Sequence, residues 1–247
     1  MIPNINRKGK ILVNSNNKIS LSSNGSGGFL ANLNKTRIFE SWESADIRYL
    51  NITDLNNLNS NVADPISLGF MIKSGLKCVA EATKRKNKHV ENPCFMQSNK
   101  DTISFHYPFE VINFTREGDF DLPLYECPHL NMFTTVGFLG DVLKNRTAEL
   151  FKYRIKEKMV PHIENSSLVF SKYQWLPPCF TFEINAFNLM DLTVKSCLLV
   201  RDSMDCVILK VGESMGEGPF GEAEALKKLK ELAEENFRTK LDLDPGK

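Results

Sequence analysis

The sequence predicts an α/β protein built on a mixed or mostly parallel sheet. Short runs rich in β-branched and aromatic residues, such as 47–52 (IRYLNI) and 180–184 (FTFEI), have the composition of strands. Between them lie segments with helix-start chemistry, of which Asp64-Pro65 is the clearest. Clusters of glycine and asparagine separate the two kinds of segment.

The chain opens with a strand, a turn and a second strand over Lys10–Phe29. Ile11 and Val13, then Ile19 and Leu21, recur at every second position, the pattern of half-buried strands. Asn16-Asn17 between them tolerates positive φ and turns the chain. The corner Asn24-Gly25-Ser26-Gly27-Gly28 follows; its glycines would let backbone approach a flat or anionic ligand, or serve only as a tight strand-to-helix turn. A helix is expected over Phe29–Trp42, a buried strand over Ile47–Ile52, and a polar loop at Thr53–Asn57. Asp64 then caps a helix with Pro65 in its first turn, Ile66, Phe70, Met71 and Ile72 on its apolar side, and Gly75 at its end.

Lys77–Thr83 reads as a further strand, and Pro93–Met96 with Thr102–Phe105 as a hairpin around Ser98-Asn99-Lys100. Met132–Leu143 is a strand-to-helix unit and the charged stretch Glu149–Lys158 a helix. Ser166–Phe170 and Phe180–Ile184 are strands separated by the rigid Leu176-Pro177-Pro178. A short helix over Ala186–Val194 and a strand over Ser196–Val200 close the main body, taken as residues 1–210. Residues 211–221 read as a flexible glycine-rich linker. Residues 222–247 hold an amphipathic helix over Glu222–Leu241, with Ala223, Leu226, Leu229, Ala233 and Phe237 on one face.

Composition narrows the function. With 42% hydrophobic residues in 247, the chain can bury a substantial core. A formal charge of +1 gives no basic surface for nucleic acid, and the Lys84–Lys88 run reads as a solvated loop. No apolar run reaches the ~20 residues of a membrane span. The N-terminus lacks the pattern of a secretory signal, so a non-secreted, cytoplasmic protein with reduced thiols is expected. The four histidines (89, 106, 129, 162) have no metal-ligand spacing, and Cys127 beside His129 is a poor nucleophile pair.

Met1-Ile2-Pro3, the glycine corner, Val62-Ala63-Asp64-Pro65, Gly69-Phe70 and Lys73-Ser74-Gly75 occur in an order that resembles the middle of eukaryotic UDP-N-acetylglucosamine pyrophosphorylases. Thr135-Val136-Gly137-Phe138-Leu139 and Phe180-Thr181-Phe182-Glu183-Ile184 extend the resemblance over most of residues 1–200. It implies a nucleotidyltransferase-like, Rossmann-like mixed sheet flanked by helices, lacking its N-terminal half. In that family a sugar-1-phosphate oxygen attacks the α-phosphorus of UTP and releases pyrophosphate, with Mg²⁺ spreading the charge. A glycine-rich loop at a helix N-terminus holds the triphosphate there, and nothing in this sequence matches it.

The resemblance places substrate contacts at Asn24, Gly25, Gly27 and Gly28, which would face uracil and ribose, and at Glu110 and Glu183. Asn24 and Ser26 stand where the family has aspartate and asparagine. Asn56 falls on the family's metal-binding aspartate, so Asp54 is the candidate metal ligand if the loop is re-registered. At the sugar-binding acids only Glu110 is kept, with His106 an alternative for the first one. Residues 124–129 lose both asparagines of their motif, and Cys179 replaces a basic group before Glu183. Two readings follow: a uridylyltransferase domain that makes no UDP-N-acetylglucosamine as this chain alone, or a non-catalytic relative that binds a nucleotide sugar weakly or docks other proteins. Expected partners are a uridine nucleotide or nucleotide sugar and, through an exposed sheet edge, a second copy or partner chain.

Overall fold

The computed structural model describes residues 1–33, 35–54, 58, 60–84, 93–97, 101–107, 110–111, 125–126, 130–158, 160, 162–164, 167–169, 179–201 and 226–234. In chain order the strands and helices are β1 (Ile2–Pro3), β2 (Leu21–Ser22), α1 (Leu30–Leu33), α2 (Ile38–Ser44), β3 (Tyr49–Thr53), α3 (Pro65–Lys73), β4 (Cys78–Lys84), β5 (Cys94–Gln97) and β6 (Ile103–His106). There follow β7 (Tyr125–Glu126), β8 (Asn131–Thr135), α4 (Val136–Asn145), α5 (Thr147–Leu150), β9 (Tyr153–Lys158), β10 (His162–Glu164), β11 (Ser167–Val169), β12 (Cys179–Ile184), a 3₁₀ helix (Ala186–Leu192) and β13 (Ser196–Arg201). Residues 226–234 are helical, with Leu226 58% exposed. The expected turn at Ser98–Lys100, the Pro177-Pro178 segment and the linker at 211–221 lie outside the described residues. Among the described residues no helix is long and apolar enough to cross a membrane.

The chain divides into two compact units, Met1–Arg48 with Val136–Leu192 and Tyr49–Thr135 with Thr193–Lys247. In the first, three extended stretches meet in a cycle of hydrogen bonds: Asn4 N–H to Ser20 O, Leu12 N–H to Asn4 O and Ser20 N–H to Leu12 O. Leu12, Ser20 and Asn4 face inward, whereas Ile11 and Ile19 are 55% and 50% exposed. The expected period-two pattern thus has the opposite parity, because the Asn4 amide bonding the Ser20 hydroxyl fixes which side is the core. Two Asx turns join these stretches: the Asn6 carboxamide accepts from Lys8 and Lys10 N–H, and that of Asn14 from Asn16 and Lys18 N–H.

The helix expected over Phe29–Trp42 is two, α1 and α2, because the Thr36 hydroxyl closes on the Leu33 carbonyl and ends the first. α4 buries Val136, Phe138, Leu139, Val142 and Leu143 at helical spacing. The expected helix at Glu149–Lys158 is instead α5 followed by the strand β9, which pairs antiparallel with β12 along its whole length. Its charged residues suggested helical pairs, but Tyr153 and Ile155 alternate with Arg154 and Lys156 across a strand, and cross-strand pairing outweighs propensity. The expected helix after β12 is the 3₁₀ helix, nearly all of it buried.

The second unit is a seven-stranded sheet in the order β3-β8-β4-β7-β5-β6, with β13 on the free side of β4. Only β13 and β4 run parallel, so the sheet is mixed but mostly antiparallel, against one of the two expected forms. β3 is half-buried rather than buried, as befits its place at the end of the sheet. Asp64 caps α3 as expected, Pro65 occupies its first turn, and Gly75 leaves it at φ +61°. The helix buries Ser67 and Met71, whereas Ile66 and Ile72 are 72% and 52% exposed. The core is set by Met71, Val79 and Phe133, with Tyr49, Leu68, Leu76 and Leu199 against them. That geometry keeps Met71 of the expected apolar side inward and turns Ile66, Phe70 and Ile72 outward.

Candidate functional site

The glycine corner is docked on the end of β12. Ile184 N–H donates to Asn24 O at 2.9 Å, and Gly27 N–H donates to Ile184 O at 2.8 Å. Ala186 N–H donates to the Ser26 hydroxyl at 3.2 Å. Gly25 has φ +75°, and a Cβ there would lie 2.5 Å from Ile184 O and 2.8 Å from Glu183 Cβ. A Cβ on Gly27 would lie 2.6 Å from Ile184 Cγ2. The space these glycines leave is therefore filled by β12, which is why the corner requires them. The corner also holds an unmet demand: Asn24 Oδ1 is buried and has no hydrogen-bond partner.

Glu183 lies beside this corner. The β9–β12 register sets it opposite Arg154, and Lys156 Nζ is 3.9 Å from its Oε2. Arg154 is buried and held in turn: its Nε donates to Asn188 Oδ1 at 3.4 Å, and Asp191 Oδ2 lies 3.8 Å from its Nη2. Asn188 is fixed by donating to Leu150 O and Lys152 O. Burial pushes the Asp191 carboxyl above its usual range against the pull of Arg154 and Lys152. Cys179, on the same face, is buried 3.8 Å from His162 Nδ1. That nitrogen donates to Val160 O, so it carries the proton and does not activate the thiol.

Asp54 and Glu110 are in the second unit. Asp54 follows β3, and its N–H donates to Leu130 O; residues 55–57, including Asn56, lie outside the described residues. Glu110 Oε2 accepts from Tyr107 N–H at 2.8 Å and lies 3.8 Å from His106 Nδ1. β3 pairs with β8 and β6 with β5, so Asp54 and Glu110 do not follow paired strands. Among the described residues no group of three histidines, cysteines or acids could hold a metal ion. At Glu183 the Lys156 ammonium already lies beside the carboxylate, which fits Mg²⁺ poorly.

The sheet also assembles a polar cluster that sequence reasoning did not find. Arg201 Nη2 donates to Asp64 Oδ2 at 2.6 Å, to Glu81 Oε1 at 3.1 Å and to Ser67 Oγ at 3.1 Å. Burial works to raise the Asp64 carboxyl, but hydrogen bonds from Ser67, Arg201 and Ile66 N–H outweigh it and hold the group below its ordinary value. Strand pairing places Arg201, Thr83, Glu126, Cys94 and His106 in one lateral row on one face of the sheet. Next to it, Ala63 N–H donates to Asn51 Oδ1 and Asn51 Nδ2 to Asn131 Oδ1, leaving the buried Asn131 Nδ2 with no hydrogen-bond partner. The available signal was Glu81, a lone acid inside the apolar strand 78–82 (CVAEA).

Residues 1–106 match a family model described as UTP–glucose-1-phosphate uridylyltransferase. The chain is 23% identical over 168 residues to a mouse UDP-N-acetylhexosamine pyrophosphorylase-like protein 1, covering 66% of this chain and 32% of that one. Among solved structures, one assigned as a UDP-N-acetylglucosamine pyrophosphorylase from Entamoeba histolytica superposes with TM-score 0.74 at 20% identity, covering 94% of this chain and 56% of that one. The UDP-N-acetylglucosamine pyrophosphorylase of Trypanosoma brucei superposes with TM-score 0.70 at 18% identity, covering 92% and 46%. The chain thus spans about a third of the length of the curated relatives it matches, and it has the fold of the UDP-sugar pyrophosphorylases.

Proposed function

We propose that this chain, similar to UDP-sugar pyrophosphorylases, is a uridine-nucleotide-binding domain that reads its base at the glycine corner and does not transfer uridylyl groups by itself. The observation that carries the reading is the buried, unpaired Asn24 Oδ1 on a corner whose backbone is fixed by Ile184. A buried acceptor without a donor costs ~1–3 kcal/mol, which a ligand N–H would recover. Uracil offers such a donor at N3, whereas cytosine presents an acceptor there. Lack of transfer is supported by Cys179, a buried thiol where the resemblance puts a basic group.

The experiment is a calorimetric titration of uridine and cytidine against the chain and against Asn24→Ala. Uridine binding in the wild type, with cytidine excluded and the preference lost in the variant, is the expected result. Equal binding of both nucleosides, or a preference untouched by Asn24→Ala, would overturn the reading. A second reading, a protein-interaction module, is favoured by Val62 just before α3 and Ile66 and Ile72 on it, which are 71%, 72% and 52% exposed.

A further inference from the structure

We propose that β3 is a docking edge for a second copy of this chain, the two strands pairing antiparallel about a two-fold axis through Asn51. Among the described residues β3 pairs with β8 alone. Two backbone bonds fix which of its groups that pairing uses: Val136 N–H donates to Arg48 O, and Asp54 N–H donates to Leu130 O. In an antiparallel ladder every second residue turns its N–H and C=O to the same neighbour. Leu50 and Ile52 therefore face β8 as Arg48 and Asp54 do, and Tyr49, Asn51 and Thr53 turn their main-chain groups the other way. Among the described residues no backbone bond meets those outward groups. The Asn51 side chain does not shield them, since its Nδ2 donates back to Asn131 Oδ1 and Met132 O on β8.

Open edges attract strands, and natural ones are blunted by charge, proline or a bulge. β3 reads Tyr-Leu-Asn-Ile-Thr in unbroken register and carries none of these. β6 and β13 also pair on one side only among the described residues, but each ends at an ionisable group, His106 beside Glu110 and Arg201 beside Glu81. What favours a second copy over another strand is the fit of β3 to itself. A two-fold at Asn51 sets Tyr49 of one copy opposite Thr53 of the other and Asn51 opposite Asn51, so each outward N–H meets an outward C=O. The same axis sets Leu50 opposite Ile52 at the closer spacing of the non-hydrogen-bonded pairs, joining half-buried apolar side chains on one face. No like charges meet across it, and the symmetry makes every contact twice.

The test is analytical ultracentrifugation of the full chain, with hydrogen exchange read residue by residue. The mass is expected to double between low and high micromolar concentration. Over the same range the amides of Tyr49, Asn51 and Thr53 should gain about tenfold protection, while those of Leu50 and Ile52 stay unchanged. Thr53→Pro removes an N–H that β8 does not use, so it should leave the fold intact and abolish the dimer. Thr53→Val, which loses only the hydroxyl contact with Ser60, should dimerise as the wild type does. A monomer at high concentration, a dimer in which those three amides gain no protection, or a dimer that survives Thr53→Pro would each overturn the proposal. Should Thr53→Pro fail to fold, the exchange measurement on the wild type still decides it.

Discussion

Gly27 and Ile184 are joined twice: the Gly27 N–H donates to Ile184 O at 2.8 Å, and Ile184 Cγ2 occupies the place next to which a Gly27 Cβ would come within 2.6 Å. The glycine is thus a packing requirement of β12 before it is anything for a ligand. Gly27→Val is expected to destabilise the chain by about 3 kcal/mol, since the added atoms meet strand backbone as well as a side chain. Chemical denaturation of the variant checks this, and a loss under 1 kcal/mol would show that the corner can move off β12.

Asp64 ties the start of α3 to β13 through Arg201 while capping the helix. Asp64→Ala should cost about 3 kcal/mol, by removing the cap and the shorter of the two carboxylate contacts of Arg201. Asp64→Asn, which keeps a capping oxygen, should cost less. Equal losses in urea melts would mean that the cap contributes nothing.

The same carboxyl gives the chain an acid limit. Its folded pKa lies below the ordinary 3.8, so the stabilisation is present above that value and disappears as pH falls through the lower folded value. Melting temperature should therefore drop steeply below about pH 4 in the wild type and less steeply in Asp64→Asn. Parallel acid profiles for the two proteins would contradict this.

Burial pushes the Cys78 thiol up to about 12, from an ordinary 9.0, against the bond from Thr134 and the pull of Lys77. A raised folded pKa means the contribution is intact below about pH 9 and is lost as pH climbs from there toward 12. Mass spectrometry after brief iodoacetamide treatment at pH 8 should find the half-exposed Cys197 modified and Cys78, Cys94 and Cys179 spared. Early alkylation of Cys78 would show that β4 opens readily.

The chain by itself should release no pyrophosphate from UTP and N-acetylglucosamine-1-phosphate in the presence of Mg²⁺. Cys179 stands where the resemblance predicts a basic group, and Asn56 where it predicts the metal-binding aspartate. A coupled pyrophosphate assay on the purified chain decides it, and turnover above background would refute the assignment.

The sequence by itself determined the features that are local. Asp64-Pro65 starts α3 and Gly75 ends it, because capping and positive φ are properties of a few adjacent residues. Asn17 turns the chain at φ +54° for the same reason, and the β8-to-α4 step follows from a change of hydrophobic period. Tertiary structure decided whatever depended on a partner far along the chain. Tyr153–Lys158 became a strand because β12, beginning 21 residues after it ends, pairs with it along its length. Leu12 rather than Ile11 went inward because Asn4 and Ser20 bond on that side. Arg201 met Asp64 and Glu81, and Lys156 met Glu183, only through strand register, which no motif encodes. The glycines at 25 and 27 were legible as a corner. What fills their space was not, because Ile184 lies more than 150 residues away and its approach is a fact of packing.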